Sequence, residues 1–144
     1  MTISPVPVCY RGVAHAWECD SLGHLNAPFY SRIFDDASTG AMLAFGLSMP
    51  QAIAAGFSWA DVRMELDYVS EVTVNSVLSV RAQLVALGRA SITVEYTLHN
   101  DTDRGAVAAK ARIKSVCFDL TARKSMPWPE ALRHCLAVNL PALE

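Results

Sequence analysis

A cluster of chemically capable side chains lies within residues 18–30 of this 144-residue chain. The segment reads E-C-D-S-L-G-H-L-N-A-P-F-Y, with a carboxylate at Asp20, an imidazole at His24 and a turn residue at Gly23. A carboxylate can attack a carbonyl carbon or take a proton from water, and an imidazole can orient a substrate or move a proton. Asp20 and His24 are therefore the first candidates for chemistry.

The second half of the same segment has the pattern of a helix start. Asn26 is a good N-cap, and Pro28 fits the first helical turn, where its missing N–H costs nothing. Apolar residues then recur at helical spacing until Gly46, which predicts a helix over residues 27–45. The N–H groups at a helix start are oriented and carry partial positive charge, so this junction can stabilise an oxyanion.

The rest of the chain is predicted to form a sheet that positions this junction. From Trp59 onward, apolar and polar residues alternate with a period of two, which is typical of half-buried antiparallel strands. The predicted elements besides the long helix are a strand over 8–17, a short helix over 48–55, four strands between Trp59 and Lys114, and a terminal helix over 130–138. This order predicts one α+β domain over residues 1–144, with a curled antiparallel sheet wrapped around one long central helix.

The composition limits the classes of function. A net charge of −2 and a pI near 6.1 indicate no basic face for nucleic acid. No apolar run reaches the roughly 18 residues that span a bilayer, and the N-terminus lacks a signal peptide pattern, so we expect a cytoplasmic protein without a membrane partner. A hydrophobic fraction of 52% with 18% charged residues is apolar for a soluble monomer, which favours a homo-oligomer.

Cysteine and histidine spacing indicates no metal site. The four cysteines form no CxxC pair and are predicted to be reduced and structural. Cys19 follows Glu18 directly, and alternation along a strand turns its thiol away from both Glu18 and Asp20. The four histidines are scattered and show no zinc-ligand spacing. We expect neither a metal nor a resident cofactor.

The segment from Trp17 to Asn26, leading into an aromatic-rich helix, resembles the hotdog-fold acyl-CoA thioesterases of the 4-hydroxybenzoyl-CoA thioesterase branch. This resemblance implies a hotdog fold in which Asp20 is the catalytic carboxylate. It also implies that a backbone N–H at about Ala27 polarises the thioester carbonyl, with coenzyme A entering as part of the substrate. The family joins sheets edge to edge and binds acyl-CoA at the subunit interface, which implies a homodimer or a dimer of dimers.

The roles of several residues in segment 18–30 have alternative interpretations. Asp20 can be nucleophile or general base, or a turn residue that bonds its own backbone. His24 can hold the acyl group or support Asp20, or be satisfied within the turn. Asn26 is expected to act indirectly, as a cap that fixes the N–H groups of the oxyanion site. Glu18 either shares one side of an extended backbone with Asp20 or is a solvated charge at a strand end.

Other carboxylates are weaker candidates. Glu65 and Asp67 are considered because other hotdog branches take a carboxylate from the central helix or groups from the partner subunit. Asp35 and Asp36 lie about two turns beyond the helix start and are expected to be structural. Small residues along the helix, such as Gly40, are expected to leave room for an aliphatic or modest aryl acyl group.

The phosphates of coenzyme A favour Arg and Lys near the mouth of the pocket. The candidates are Arg89 and the row Lys110, Arg112 and Lys114, although for each one alone a solvated outer face is the safer interpretation. Two other functions stay open beside thioester hydrolysis: an enoyl-CoA hydratase or dehydratase that uses Asp20 and His24, and a non-catalytic acyl-binding protein. The residues leave open the acyl group, its carrier, the pathway and the choice between dimer and tetramer.

Overall fold

The computed structural model describes residues 6–141, which form a five-stranded antiparallel sheet with a long helix on one face. The elements are β1 (Val8–Val13), α1 (Ala27–Ala44), α2 (Met49–Ala54), β2 (Phe57–Tyr68), β3 (Val77–Leu87), β4 (Ser91–Asn100), β5 (Ala106–Asp119) and α3 (Glu130–Ala137). The strands lie in the order β1-β3-β4-β5-β2. The predicted α+β class, with a curled sheet around one central helix, is confirmed.

The core lies between α1 and one face of the three central strands. Directly opposite residues share a face, so Tyr96 on β4 lies beside Ala82 on β3 and Ala111 on β5, and all three are buried. Burying each large apolar side chain contributes about 1.5–3 kcal/mol. The buried residues of α1 are Tyr30, Ile33, Phe34, Ala37, Ser38, Ala41 and Met42. The other face of the sheet carries the charged residues.

Helix α1 begins and ends close to its predicted bounds. Its N-cap is Asn26, and Phe45 caps its C-terminus before Gly46 turns the chain with φ of +96°. At Gly40, a Cβ atom would overlap the carbonyl oxygen of Cys9 on β1. The expectation that small residues leave room beside the helix is therefore wrong at this position, because glycine serves to bring α1 against β1.

The first strand is shorter than predicted. It ends at Val13 instead of residue 17, and Ala16–Glu18 form a single 3-10 turn. The turn forms because the Glu18 carboxylate accepts the His15 N–H at 3.1 Å. Glu18 is 0% exposed whereas Asp20 is exposed, so the two expectations for Glu18, a shared side with Asp20 and a solvated charge, are both wrong.

Strand β2 differs from its prediction because it lies at the edge of the sheet. Phe57 and Ser58 are buried, but most of the strand is exposed on both faces, including Val62 and Tyr68 at 58% each. A bulge near Val62 also shifts the register against β5. Helix α1 packs mainly on β1 and β3, at the opposite side of the sheet, so it leaves β2 uncovered. This edge presents apolar side chains and unpaired backbone groups.

No helix within residues 6–141 is long and apolar enough to cross a membrane.

Candidate active site

Residues 18–26 form a narrow hairpin that folds back onto the start of α1. The Asn26 N–H donates to the Glu18 carbonyl at 2.9 Å, and the Asp20 N–H donates to the His24 carbonyl at 2.8 Å. Gly23 closes the turn with φ of +77°, a conformation that side chains with a Cβ rarely adopt. The hairpin therefore pairs Asp20 with His24 and Glu18 with Asn26, the residue before the helix.

Asp20 uses one carboxylate oxygen for the turn. Its Oδ1 accepts the backbone N–H groups of Leu22 at 2.9 Å and His24 at 3.2 Å. Its other oxygen, Oδ2, accepts no hydrogen bond from any residue in the described part of the chain, and the side chain is exposed. The turn interpretation and the catalytic interpretation are thus compatible, because each needs a different oxygen of the same carboxylate.

The start of α1 offers one N–H donor. The Ala27 N–H donates to Oδ1 of Asn26 at 3.0 Å, Pro28 has no N–H, and the Phe29 N–H donates to the Asn26 carbonyl at 3.0 Å. Ala27 and Asn26 are both exposed. A substrate oxygen that binds the Ala27 N–H must therefore replace or share the contact that the Asn26 carboxamide makes.

A cavity of about 410 Å³ opens beside this helix start. Its lining residues are His24, Leu25, Ala27, Tyr30, Tyr68, Val69, Ser70 and Glu71. The ring of Tyr30 meets that of Tyr68 edge-on at 5.0 Å and forms the apolar wall. Burial raises the pKa of the Tyr30 phenol, and the nearby Tyr68, Cys19, Asp20 and Glu71 raise it further. Tyr30 therefore stays protonated at neutral pH. Two of the predicted site residues, His24 and Ala27, line this cavity. Asp20 and Asn26 are not among the lining residues, although the Asp20 charge acts on Tyr30 at the cavity wall.

Sequence reasoning missed the residues that follow β2. A backbone bridge joins His24 to Thr73, which brings Glu71 Oε2 to 3.4 Å from His24 Nε2. The Leu25 N–H also donates to the Val72 carbonyl at 2.8 Å. No local signal could have identified Glu71, because the contact depends on a pairing between segments almost fifty residues apart.

The other candidate nucleophiles lie in different surroundings. Glu65 and Asp67 are exposed on the face of the sheet opposite α1, where Glu65 pairs with Arg63. Partial burial raises the pKa of Cys19, and the charges of Asp20 and Glu18 raise it further, so this thiol is not activated. Asp35 and Asp36 are exposed on α1.

Among residues 6–141, no three His, Cys, Asp or Glu side chains are grouped to hold a metal ion.

The four predicted phosphate-binding residues do not border the cavity within one chain. Arg89 lies in the β3–β4 turn, at the end of the sheet where β2 begins, whereas the cavity lies where β2 ends. Lys110, Arg112 and Lys114 are exposed on the outer face of β5, and Arg112 is 3.5 Å from Glu95 on β4. Within one chain, Arg89 lies at the opposite end of the sheet from the cavity, and the three residues of β5 lie on the outer face of the sheet.

The hairpin, the helix start and the sheet order together define a class of protein. A family model described as the thioesterase-like superfamily matches residues 13–136, from the end of β1 into α3. The chain therefore belongs to the thioesterase-like superfamily, and its fold is the hotdog fold. The predicted family resemblance is confirmed.

Solved structures with the same fold include enzymes of that class. A protein from Staphylococcus aureus, SAV2348, solved in complex with CoA, has a TM-score of 0.86 at 17% identity and covers 100% of this chain and 92% of its own. A 1,4-dihydroxy-2-naphthoyl-CoA thioesterase from Synechocystis, Slr0204, has a TM-score of 0.76 at 18% identity, covering 89% and 93%. YbaW, a probable thioesterase from Escherichia coli, has a TM-score of 0.76 at 20% identity, covering 92% and 98%. No curated protein sequence matches the chain.

Proposed function

We propose that the protein hydrolyses an acyl-CoA thioester to a free acid and coenzyme A, as a cytoplasmic homodimer or dimer of dimers. The observation that carries this proposal is the hairpin of residues 18–26, which carries the Asp20 carboxylate with Oδ2 unoccupied by the described residues and leads directly into the Ala27 N–H. Membership of the thioesterase-like superfamily supports the reaction type. The structural neighbour solved with CoA supports the choice of carrier.

The oxyanion site of this mechanism is the start of α1. The thioester oxygen displaces the Asn26 carboxamide from the Ala27 N–H, which then stabilises the negative charge that develops on that oxygen. The dipole of an 18-residue helix adds to this stabilisation. His24, at the cavity wall, can hydrogen-bond the acyl group, and Glu71 orients its ring.

Asp20 acts in the attack on the thioester by one of two routes. As general base, Oδ2 takes a proton from water while the water oxygen bonds to the carbonyl carbon; the C–S bond then breaks, and coenzyme A leaves as the thiol after protonation. As nucleophile, Oδ2 bonds to the carbonyl carbon and expels coenzyme A, and water then cleaves the mixed anhydride. Both routes consume one water and give the same products.

A second copy of the chain completes this site in our proposal. The uncovered edge strand β2 has exposed apolar side chains, among them Val62, Met64 and Tyr68, which suit edge-to-edge pairing. Antiparallel pairing about a two-fold axis places the Phe57 end of β2 beside the Tyr68 end of the other copy. Arg89 lies at the Phe57 end, so Arg89 of the partner subunit reaches the mouth of the cavity.

Replacing Arg89 with Glu is expected to raise KM for an acyl-CoA about three- to tenfold, because a charge-assisted contact to phosphate is lost. The same acyl group on N-acetylcysteamine lacks the phosphates, so its KM should not change. Arg11→Glu, which removes the same charge from an exposed position on β1, serves as the matched control. An equal KM change for both thioesters, or the same effect from Arg11→Glu, would contradict the assignment of Arg89. Charge reversal at Lys110, Arg112 and Lys114 tests the other proposed cations in the same way.

A second candidate function is hydration of an enoyl-CoA, which the His24–Glu71 contact at the cavity favours as a proton-transfer pair. Release of free coenzyme A thiol from a panel of acyl-CoAs, measured beside loss of enoyl-CoA absorbance, separates the two reactions. We expect thiol release without hydration. Hydration without thiol release would replace the proposal, and acyl-CoA binding with neither reaction would indicate a non-catalytic acyl-binding protein.

A further inference from the structure

Glu18 carries a carboxylate that is completely buried yet fully hydrogen-bonded. It is 0% exposed, its Oε1 accepts the His15 N–H at 3.1 Å, and its Oε2 accepts from Nη2 of Arg32 at 2.6 Å. An ionised group is costly to bury unless it is paired and each oxygen is satisfied. Both conditions hold for Glu18, so its buried carboxylate is satisfied where the 3-10 turn meets α1.

Arg32 connects this carboxylate to two other parts of the fold. It lies in the second turn of α1, where its Nη1 bonds Oδ2 of Asp36 at 3.0 Å on the exposed side. The hydrogen bond to Glu18 raises the pKa of Arg32, and Tyr10 on β1 contributes in the same direction. The guanidinium therefore stays charged and ties the 3-10 turn to the body of α1.

The backbone of Glu18 forms the base of the hairpin that carries Asp20. Its carbonyl accepts the Asn26 N–H at 2.9 Å, and Asn26 directly precedes Ala27. Asp20 lies two residues after Glu18, on the same arm of the hairpin, opposite the arm that contains Asn26. The Glu18 side chain is thus fixed to α1 through Arg32, while its main chain is fixed to the residue before the oxyanion donor.

We propose that Glu18 and Arg32 are positioning residues that hold the Asp20 carboxylate at a fixed distance from the Ala27 N–H. The inference rests on the proposed thioesterase function. The Glu18 carboxylate is buried while the Arg32 side chain is 42% exposed, so the pair joins the buried turn to the outer side of α1. The pair also supplies direction, because the planar guanidinium and the carboxylate fix each other's orientation. A displacement of about 1 Å between reacting groups can lower a rate about 100-fold.

The test compares Glu18→Gln and Arg32→Lys with Asp36→Asn. Glu18→Gln keeps the shape but loses the charge, and Arg32→Lys keeps the charge but loses the planar fork. Asp36→Asn neutralises the exposed carboxylate that contacts the same guanidinium. We expect both changes in the Glu18–Arg32 pair to lower kcat about 10- to 100-fold with KM changed less than about twofold. Asp36→Asn should retain the wild-type kcat and KM.

Hydrogen exchange supplies a measurement that does not depend on activity. In Glu18→Gln and Arg32→Lys, the N–H groups of Asn26 and His24 should exchange about tenfold faster than in Asp36→Asn, because the base of the hairpin loosens. Exchange in the central strand β4 should be unchanged, which distinguishes a displaced hairpin from general destabilisation.

The two measurements separate failure of this inference from failure of the function. If the wild type cleaves no acyl-CoA, the thioesterase proposal fails, and exchange at Asn26 and His24 still tests the positioning of the hairpin. If Glu18→Gln does not fold, Arg32→Lys carries the comparison. Exchange rates equal to those of Asp36→Asn, or a kcat within about twofold of that variant in a folded protein, would overturn the positioning role.

Discussion

Replacing Asp20 with Asn is expected to lower kcat for thioester hydrolysis by about 10²- to 10⁴-fold while the protein stays folded. The amide oxygen of Asn can still accept the N–H groups of Leu22 and His24, so the turn persists. The amide nitrogen that takes the place of Oδ2 can neither attack a carbonyl carbon nor take a proton from water. The rate is measured by release of the coenzyme A thiol, and the fold by circular dichroism and melting temperature.

Asp119 provides a matched control for this substitution. Its Oδ1 accepts two backbone N–H groups, from Thr121 and Ala122, both at 2.8 Å, in a turn at the end of β5. Asp119→Asn therefore removes one charge from an equivalent turn away from the cavity, and we expect a wild-type rate. If Asp20→Asn retains a near-normal rate, or if Asp119→Asn loses as much activity, then Asp20 is a turn residue only.

Replacing Ala27 with Pro is expected to lower kcat by about 10²- to 10³-fold, because it removes the one N–H assigned to the oxyanion. The backbone tolerates the change, since the first helical position accepts proline and Asn26 already has φ of −77° and ψ of 146°, the extended conformation that precedes proline. Thiol release measures the rate, and the melting temperature reports the fold.

Asn26→Ala isolates the effect of the lost cap from the effect of the lost donor. It removes the same hydrogen bond to Ala27 but leaves the N–H in place. We expect a loss of stability of about 1 kcal/mol and a smaller fall in kcat than in Ala27→Pro. A normal kcat in a folded Ala27→Pro variant would show that the oxyanion is held elsewhere. A rate loss in Asn26→Ala without a lower melting temperature would contradict the capping role.

Features encoded by neighbouring residues could be predicted from the sequence. The start of α1 follows from Asn26 and Pro28, and its end from Gly46, so its bounds were predicted to within one residue. The short helix α2 and the five strands of the sheet also follow from local signals. The Asp20 turn belongs to the same group, because Asp, Ser and Gly within four residues form turns by local hydrogen bonds.

Features that depend on distant pairing could not be predicted in this way. Glu18 is buried because Arg32, fourteen residues later, reaches it across the hairpin, and nothing in the local pattern distinguishes it from a solvated charge. Glu71 reaches His24 only because the segment between β2 and β3 pairs with the hairpin through the bridge from His24 to Thr73. The alternation in β2 equals that of the central strands, and its exposure follows from its place at the edge of the sheet, which the strand order decides.

The hairpin contains both locally encoded features and features that depend on distant contacts. Local signals specify the turn at Asp20 and the helix start at Ala27, while the Glu18–Arg32 pair fixes one against the other. A displacement of either element would separate the attacking oxygen from the oxyanion donor. The catalytic geometry therefore depends on residues that do not contact the substrate.

The most direct test of the thioesterase proposal is the release of free coenzyme A thiol from a panel of aliphatic and aryl acyl-CoAs, measured in parallel for the wild type and for Asp20→Asn. We expect the wild type to cleave at least one thioester with kcat/KM of about 10⁴ M⁻¹s⁻¹ or more, and the variant to lose this activity while keeping its melting temperature. Thiol release that is the same in both proteins would contradict the role of Asp20, and its absence from the wild type across the panel would contradict the proposed function.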